Sequence, residues 1–169
     1  MEKSFLNDKW ILVVDNQPAV LMALDEEILK VAPNCHVDKT TSYKNAVELM
    51  ASFTYDLVIL DGLSLQSSDL LTRIVNRFSP PPVVLLTSPY LGSEVLKGFA
   101  KMGARICPLK ENFREMIPFL ENVVRHENSS GWRRLLENLT GFFRGRIKSD
   151  WRGRSRLELN KVSGAESIS

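Results

Sequence analysis

Six polar residues stand where short apolar stretches end: Asp15 and Asn16 after WILVV, Asp61 after DLVIL, Thr87 and Ser88 at the end of VVLLTS, and Lys110 after ARICPL. If those stretches are strands of one parallel sheet, these residues share its carboxyl edge, where ligands bind in open α/β folds. Two acidic groups held side by side repel unless a cation lies between them. Mg²⁺ takes such oxygen ligands, keeps several waters and accepts phosphate oxygens. A lysine supplies a point charge for a phosphoryl oxygen, and a threonine hydroxyl can hydrogen-bond another. In that setting Asp61 is a carboxylate nucleophile able to form an aspartyl phosphate, with metal and lysine stabilising the charge of the transfer. Plainer roles stay open for each residue. Asp61 could end a turn and Asp15 could cap a helix. Asn16 is as well suited to capping as to ligation, Lys110 could be solvated, and Thr is common at strand ends.

The elements that must position these groups alternate through the first 127 residues. Apolar runs predict strands over 10–14, 35–40, 56–61, 83–87 and 104–109, short and non-alternating as in a parallel sheet buried on both faces. Helical periodicity predicts helices over 18–32, 42–53, 69–78, 93–102 and 115–126. Pro18 suits a first helical turn, with Val20, Leu24, Ile28 and Val31 as the inward stripe, and Ala46, Leu49 and Met50 face inward in the second helix. Gly103 is placed to close the fourth helix, and Pro118 starts the last one shortly before itself. Five βα units in a row predict a doubly wound five-stranded parallel sheet, helices on both faces, with right-handed crossovers.

Composition fits a soluble globular chain of 169 residues, 44% hydrophobic and 25% charged. No apolar run approaches the roughly 20 residues that span a bilayer, and MEKSFLNDKW does not read as a signal peptide. Cys35 and Cys107 are too few for a disulfide framework and are expected as buried strand thiols. His36 and His126 lack ligand-spaced partners. A cytoplasmic protein is expected. Residues 1–127 hold 13 Lys and Arg against 16 Asp and Glu, whereas residues 128–169 hold 9 against 4. The second part opens with the polar linker ENSSG (127–131). It continues with Trp132, Leu135, Leu136, Leu139, Phe142 and Phe143 at helical spacing among arginines, and ends without a period. It is read as a basic linker with an amphipathic helical or disordered tail that packs on the protein, binds a partner, lies on a membrane surface or touches nucleic acid. It is too short for a helical DNA-binding domain and shows no helix-turn-helix pair.

Residues 9 to about 127 resemble the receiver domain of bacterial two-component response regulators, the CheY-like family. The resemblance is carried by ILVVDNQP with Asp15, DLVILD with Asp61, VVLLTS with Thr87 and GARICPLKE with Lys110, in order and at receiver spacing. It implies the flavodoxin-like strand order 2-1-3-4-5, a phosphoacceptor at Asp61, catalytic roles for Asp61, Thr87 and Lys110, and a Mg²⁺ site of Asp15, Asn16, Asp61 and Leu63. It also implies a sensor histidine kinase or phosphotransfer protein as donor, a downstream protein target, homodimer formation as one mode of output, and at most self-catalysed phosphotransfer and autodephosphorylation.

Several positions depart from the family pattern. Asn16 stands where a second acid is usual, so Mg²⁺ is expected to bind more weakly. Leu65 and Asp69 replace the usual proline and glycine after the phosphoacceptor, Cys107 replaces the aromatic switch residue, and Glu111 replaces the proline after the lysine. Gly62 is read as easing the turn beside the site. These departures keep a second function open, a pseudo-receiver that is never phosphorylated and acts as a scaffold or adaptor. A hydrolase using the same acids finds no further base or nucleophile.

Overall fold

A computed structural model describes residues 3–64, 66–87, 91–108 and 113–127. They lie within a compact unit, Met1–Ser129; a second unit, Ser130–Ser169, falls outside the described residues, and with it the amphipathic tail.

In chain order the elements are β1 (Trp10–Val14), α1 (Pro18–Val31), β2 (His36–Thr40), α2 (Tyr43–Ser52), β3 (Leu57–Asp61), α3 (Ser67–Val75), β4 (Val83–Thr87), α4 (Ser93–Lys101), β5 (Arg105–Pro108), a 3-10 turn (Phe113–Met116) and α5 (Ile117–Glu127). All strand pairs are parallel, in the order β2-β1-β3-β4-β5. This is the doubly wound parallel sheet expected from the alternation of elements, in the flavodoxin-like order that the resemblance implies.

The central strands are apolar on both faces because each face is covered. Ile11, Val13, Leu57, Ile59, Val84 and Leu86 pack with α1 and α5 through Leu24, Ile28, Leu120 and Val124. The alternate positions Leu12, Val58, Leu60, Val83 and Leu85 pack with Ala46 and Met50 of α2, Leu71 and Ile74 of α3, and Phe99 of α4. Period-two alternation thus divides one continuous apolar run between two cores. Every residue of β3 and of β4 is buried.

Several sequence-derived details shift. The inward stripe of α1 is Leu21, Leu24 and Ile28; Val31 is exposed, and Ala32, just past the helix, is buried instead. Helix α3 runs over 67–75 rather than 69–78: Asn76 ends it, the Pro80–Pro82 run lies four residues further on, and Phe78 stands in solvent. Cys35 is buried but precedes β2 rather than belonging to it. The prediction at Gly103 holds for a definable reason. Gly103 has φ +95°, its N–H donates to the Ala100 carbonyl, and the Ala104 N–H donates to the Phe99 carbonyl. That is a Schellman closure, with Phe99 and Ala104 in the same apolar cluster.

Candidate functional site

Strand register brings the two acids together. Val14 of β1 pairs with Leu60 of β3, so the next residues, Asp15 just past β1 and Asp61 at the end of β3, stand side by side on strands about 4.8 Å apart. Both are buried, at 6% and 9% exposure. They line one cleft with Asn16, Tyr43, Ser64 and Ser67. Tyr43 opens α2, and its hydroxyl accepts a hydrogen bond from Arg73 Nε of α3 at 2.7 Å.

Each carboxylate is oriented by the chain two residues on. Asp15 Oδ1 accepts the Gln17 N–H at 2.8 Å, and Asp61 Oδ1 accepts the Leu63 N–H at 2.9 Å. These Asx turns are the usual local bond of aspartate at a bend. The Asp15 turn delivers the chain to Pro18 at the first helical position; the N-cap of α1 is Gln17, without a side-chain capping bond. Asn16 therefore does not cap the helix, and its exposed side chain stands at the mouth of the cleft. Burial pushes the Asp15 carboxyl above its ordinary value; the Gln17 N–H draws it back, and the negative charge of Asp61 pushes it up again. A buried carboxylate that resists ionisation beside a second acid, as Asp15 does, is what a bound cation relieves.

Among the described residues, no group of three or more His, Cys, Asp or Glu side chains gathers to hold a metal. The oxygen donors that line the cleft include the carboxylates of Asp15 and Asp61 and the side-chain amide of Asn16, all hard ligands; Leu63, which is exposed, is not among the lining residues. That set fits a Mg²⁺ ion that keeps several waters, with one negative charge fewer than a three-acid site.

Thr87 ends β4, the strand next to β3, and is buried, outside the cleft shared by the two acids. Lys110 and Ser88 lie outside the described residues, as do Leu65 and Glu111. Asp69 is exposed in the first turn of α3. Cys107 is buried against the α1 and α5 face of the sheet.

Gly62 has a different reason from the one expected. Its N–H donates to the Leu86 carbonyl at 2.8 Å. A Cβ at 62 would lie 2.8 Å from that same oxygen and 3.2 Å from the Leu85 side chain. The glycine lets β3 and β4 stay in contact one residue past Asp61.

Sequence reasoning missed Ser67. It is 5% exposed and its hydroxyl donates to the Asp61 main-chain carbonyl. The signal was present: Ser67, Leu70, Leu71 and Ile74 follow the i, i+3, i+4, i+7 pattern of a buried helix face, and all four are buried.

No protein-family model matches the chain, and no curated protein sequence does. Solved structures do. The signal receiver domain of a DNA-binding response regulator (merR) from Colwellia psychrerythraea 34H superposes with TM-score 0.63 at 17% identity, over 70% of this chain and 99% of that one. The signal receiver domain of an HD-domain-containing protein from Pseudomonas fluorescens Pf-5 gives 0.63 at 21% identity, over 76% and 93%. The non-phosphorylated HemR receiver domain from Leptospira biflexa gives 0.59 at 26% identity, over 69% and 94%. The fold is that of a response-regulator receiver domain. Receiver folds place their strand order and carboxyl edge as this chain does, so the Asp15–Asp61 cleft occupies the edge at which α/β folds carry their chemistry.

Proposed function

We propose that this protein is a signalling phosphoacceptor of the response-regulator type, with a receiver unit over 1–127 and a basic extension over 128–169. In this reading Asp61 takes a phosphoryl group from a sensor histidine kinase or phosphotransfer protein in the cytoplasm. The observation that carries the reading is the buried pair Asp15 and Asp61, set side by side at the carboxyl edge of a receiver fold.

Asp61 Oδ1 is engaged by the Leu63 N–H, which aims Oδ2, the oxygen outside that bond, as the nucleophile. A P–O bond forms at Oδ2 while the donor's P–N bond breaks, its electron pair passing to the imidazole. Attack of water on phosphorus later returns the carboxylate and inorganic phosphate. Asp15, Asn16, Asp61 and the Leu63 carbonyl are the residues proposed to hold Mg²⁺, which when bound offsets charge on the phosphoryl oxygens. Thr87 and Lys110 are assigned to those oxygens as hydrogen-bond donor and point charge.

Phosphorylation adds about 1.5 to 2 negative charges at one strand end, drawing Thr87 toward the phosphate and biasing the packing of α4 and β5. With a buried Cys107 in place of an aromatic, the response at β5 is smaller than where a ring swings. Output passes to a downstream protein, through a second copy of the chain or through the basic extension, which also suits a membrane surface. The competing function, a scaffold that is never phosphorylated, is favoured by Asn16 in place of a third acid.

Intact mass after incubation with acetyl phosphate and Mg²⁺, beside Asp61→Asn, separates the two. A gain of one phosphoryl mass in the wild type alone supports transfer to Asp61. A folded wild type that gains nothing, from acetyl phosphate or from a kinase, leaves the scaffold.

A further inference from the structure

Ser67 reaches Asp61 through its main-chain carbonyl rather than its carboxylate, and so holds a cleft acid in place. Asp61 is the last residue of β3, and the chain must turn from it into α3 within five residues. Hydrogen bonds among the described residues fix that turn. The Leu63 N–H reaches the Asp61 carboxylate at 2.9 Å, the Ser67 N–H reaches the Ser64 carbonyl at 3.1 Å, and the Ser67 hydroxyl reaches the Asp61 main-chain carbonyl. The last bond closes the loop on the residue where it began.

A helix face that otherwise carries Leu70, Leu71 and Ile74 buries a hydroxyl at its first residue. Burying a hydroxyl is costly unless it is hydrogen-bonded, and here it is spent on the carbonyl of the proposed nucleophile. With that carbonyl held, the peptide plane from Asp61 to Gly62 is fixed from both sides, since the Gly62 N–H is held by Leu86. The Leu63 N–H is then delivered to Oδ1 and the other carboxylate oxygen to the cleft.

We propose that Ser67 is a positioning residue for Asp61, acting through the Asp61 main-chain carbonyl and the Leu63 turn. This rests on the reading of Asp61 as phosphoacceptor, but its structural half can be tested without it. Misplacing a reacting group by about an ångström can cost a hundredfold in rate, so a loosened Asp61 should react slowly even when the phosphodonor is saturating.

The test compares wild type, Ser67→Ala and Ser67→Thr in two measurements, below the unfolding transition of each. The first is labelling by acetyl phosphate with Mg²⁺ across donor concentrations. Ser67→Ala is expected to lower the maximal rate about tenfold or more, with the half-saturating donor concentration unchanged and Ser67→Thr, which keeps the hydroxyl, close to wild type. The second is amide hydrogen exchange at Leu63, with Ile59 in the middle of β3 as reference. Ser67→Ala is expected to speed exchange at Leu63 about tenfold while Ile59 holds. A wild-type maximal rate in Ser67→Ala overturns the proposal, as does an equal loss in Ser67→Ala and Ser67→Thr. If wild type itself takes no phosphate, the phosphoacceptor reading fails separately, and unchanged Leu63 exchange in Ser67→Ala then overturns the positioning role on its own.

Discussion

Gly62→Ala puts the sheet geometry behind the site to a quantitative test. Replacing glycine by alanine in unstrained backbone ordinarily stabilises a protein by about 0.4–1 kcal/mol, because the unfolded chain loses freedom. Here the new methyl would sit 2.8 Å from the Leu86 carbonyl oxygen, against 3.4 Å or more in ordinary contact, so β3 and β4 must part by roughly 0.6 Å. The obstacle is main chain of a fully buried strand, which cannot swing aside as a side chain would. Overpacking of this kind costs about 1–3 kcal/mol, and stretching the 2.8 Å bond from the Gly62 N–H to the Leu86 carbonyl removes about 1 kcal/mol more. After the entropic offset, a net loss of about 1–3.5 kcal/mol remains, a fall of about 4–14 °C in Tm for a domain of this size. Urea and thermal unfolding of the two proteins, with the m value checked for constancy, supply the number. A Tm that rises or stays level would refute the close approach of β3 and β4 beyond Asp61.

Other outcomes follow from the same structure. The folded pKa of Asp15 lies above its ordinary 3.8, so its contribution to stability is fully present below that value and is lost as pH rises through the folded pKa. In chelator, Asp15→Asn should flatten this part of the stability–pH profile and unfold at higher temperature than wild type at pH 7. Added Mg²⁺ should then raise the Tm of wild type only; a variant that gains as much would remove Asp15 from the proposed metal site. Burial pushes the Cys35 thiol up to about 12, so peptide mapping after alkylation at pH 8 should find residue 35 unmodified until the protein unfolds, and rapid labelling in the native state would contradict its burial. Ser42 caps α2 by accepting the Asn45 N–H; Ser42→Ala should cost about 1 kcal/mol in urea titration, and no change would mean that the cap is not formed in solution.

Much of the fold was legible because its signals are local. Apolar runs of about five residues, each followed by helical periodicity, leave few alternatives to a parallel α/β sheet, and the positive φ at Gly103 follows from its place after the α4 period. The errors lie where tertiary packing decides. Leu21 and Val31 of α1 both suit an apolar stripe, and only the angle at which α1 meets the sheet buries one and exposes the other. The end of α3 was drawn toward the prolines, although the chain leaves the helix at Asn76. Asp15 and Asp61 could be placed at one edge from the sequence, but their mutual repulsion needed the β1–β3 register. The reason for Gly62 lies in Leu86, 24 positions along the chain, and no local pattern reports it. Ser67 lay on a visible helical stripe, but a serine there reads as an interruption until its hydroxyl is seen against the Asp61 carbonyl.

The central claim is that Asp61 is the residue that carries phosphate, and reductive trapping tests it at residue level. Borohydride converts an aspartyl phosphate to homoserine, so protein treated with acetyl phosphate and Mg²⁺, reduced, digested and sequenced by mass spectrometry identifies the acceptor. Homoserine at position 61, absent without Mg²⁺ and with Asp15 unchanged, is the predicted result. An unmodified Asp61 in protein that has gained a phosphoryl group elsewhere, or has gained none from acetyl phosphate or a kinase, would contradict it.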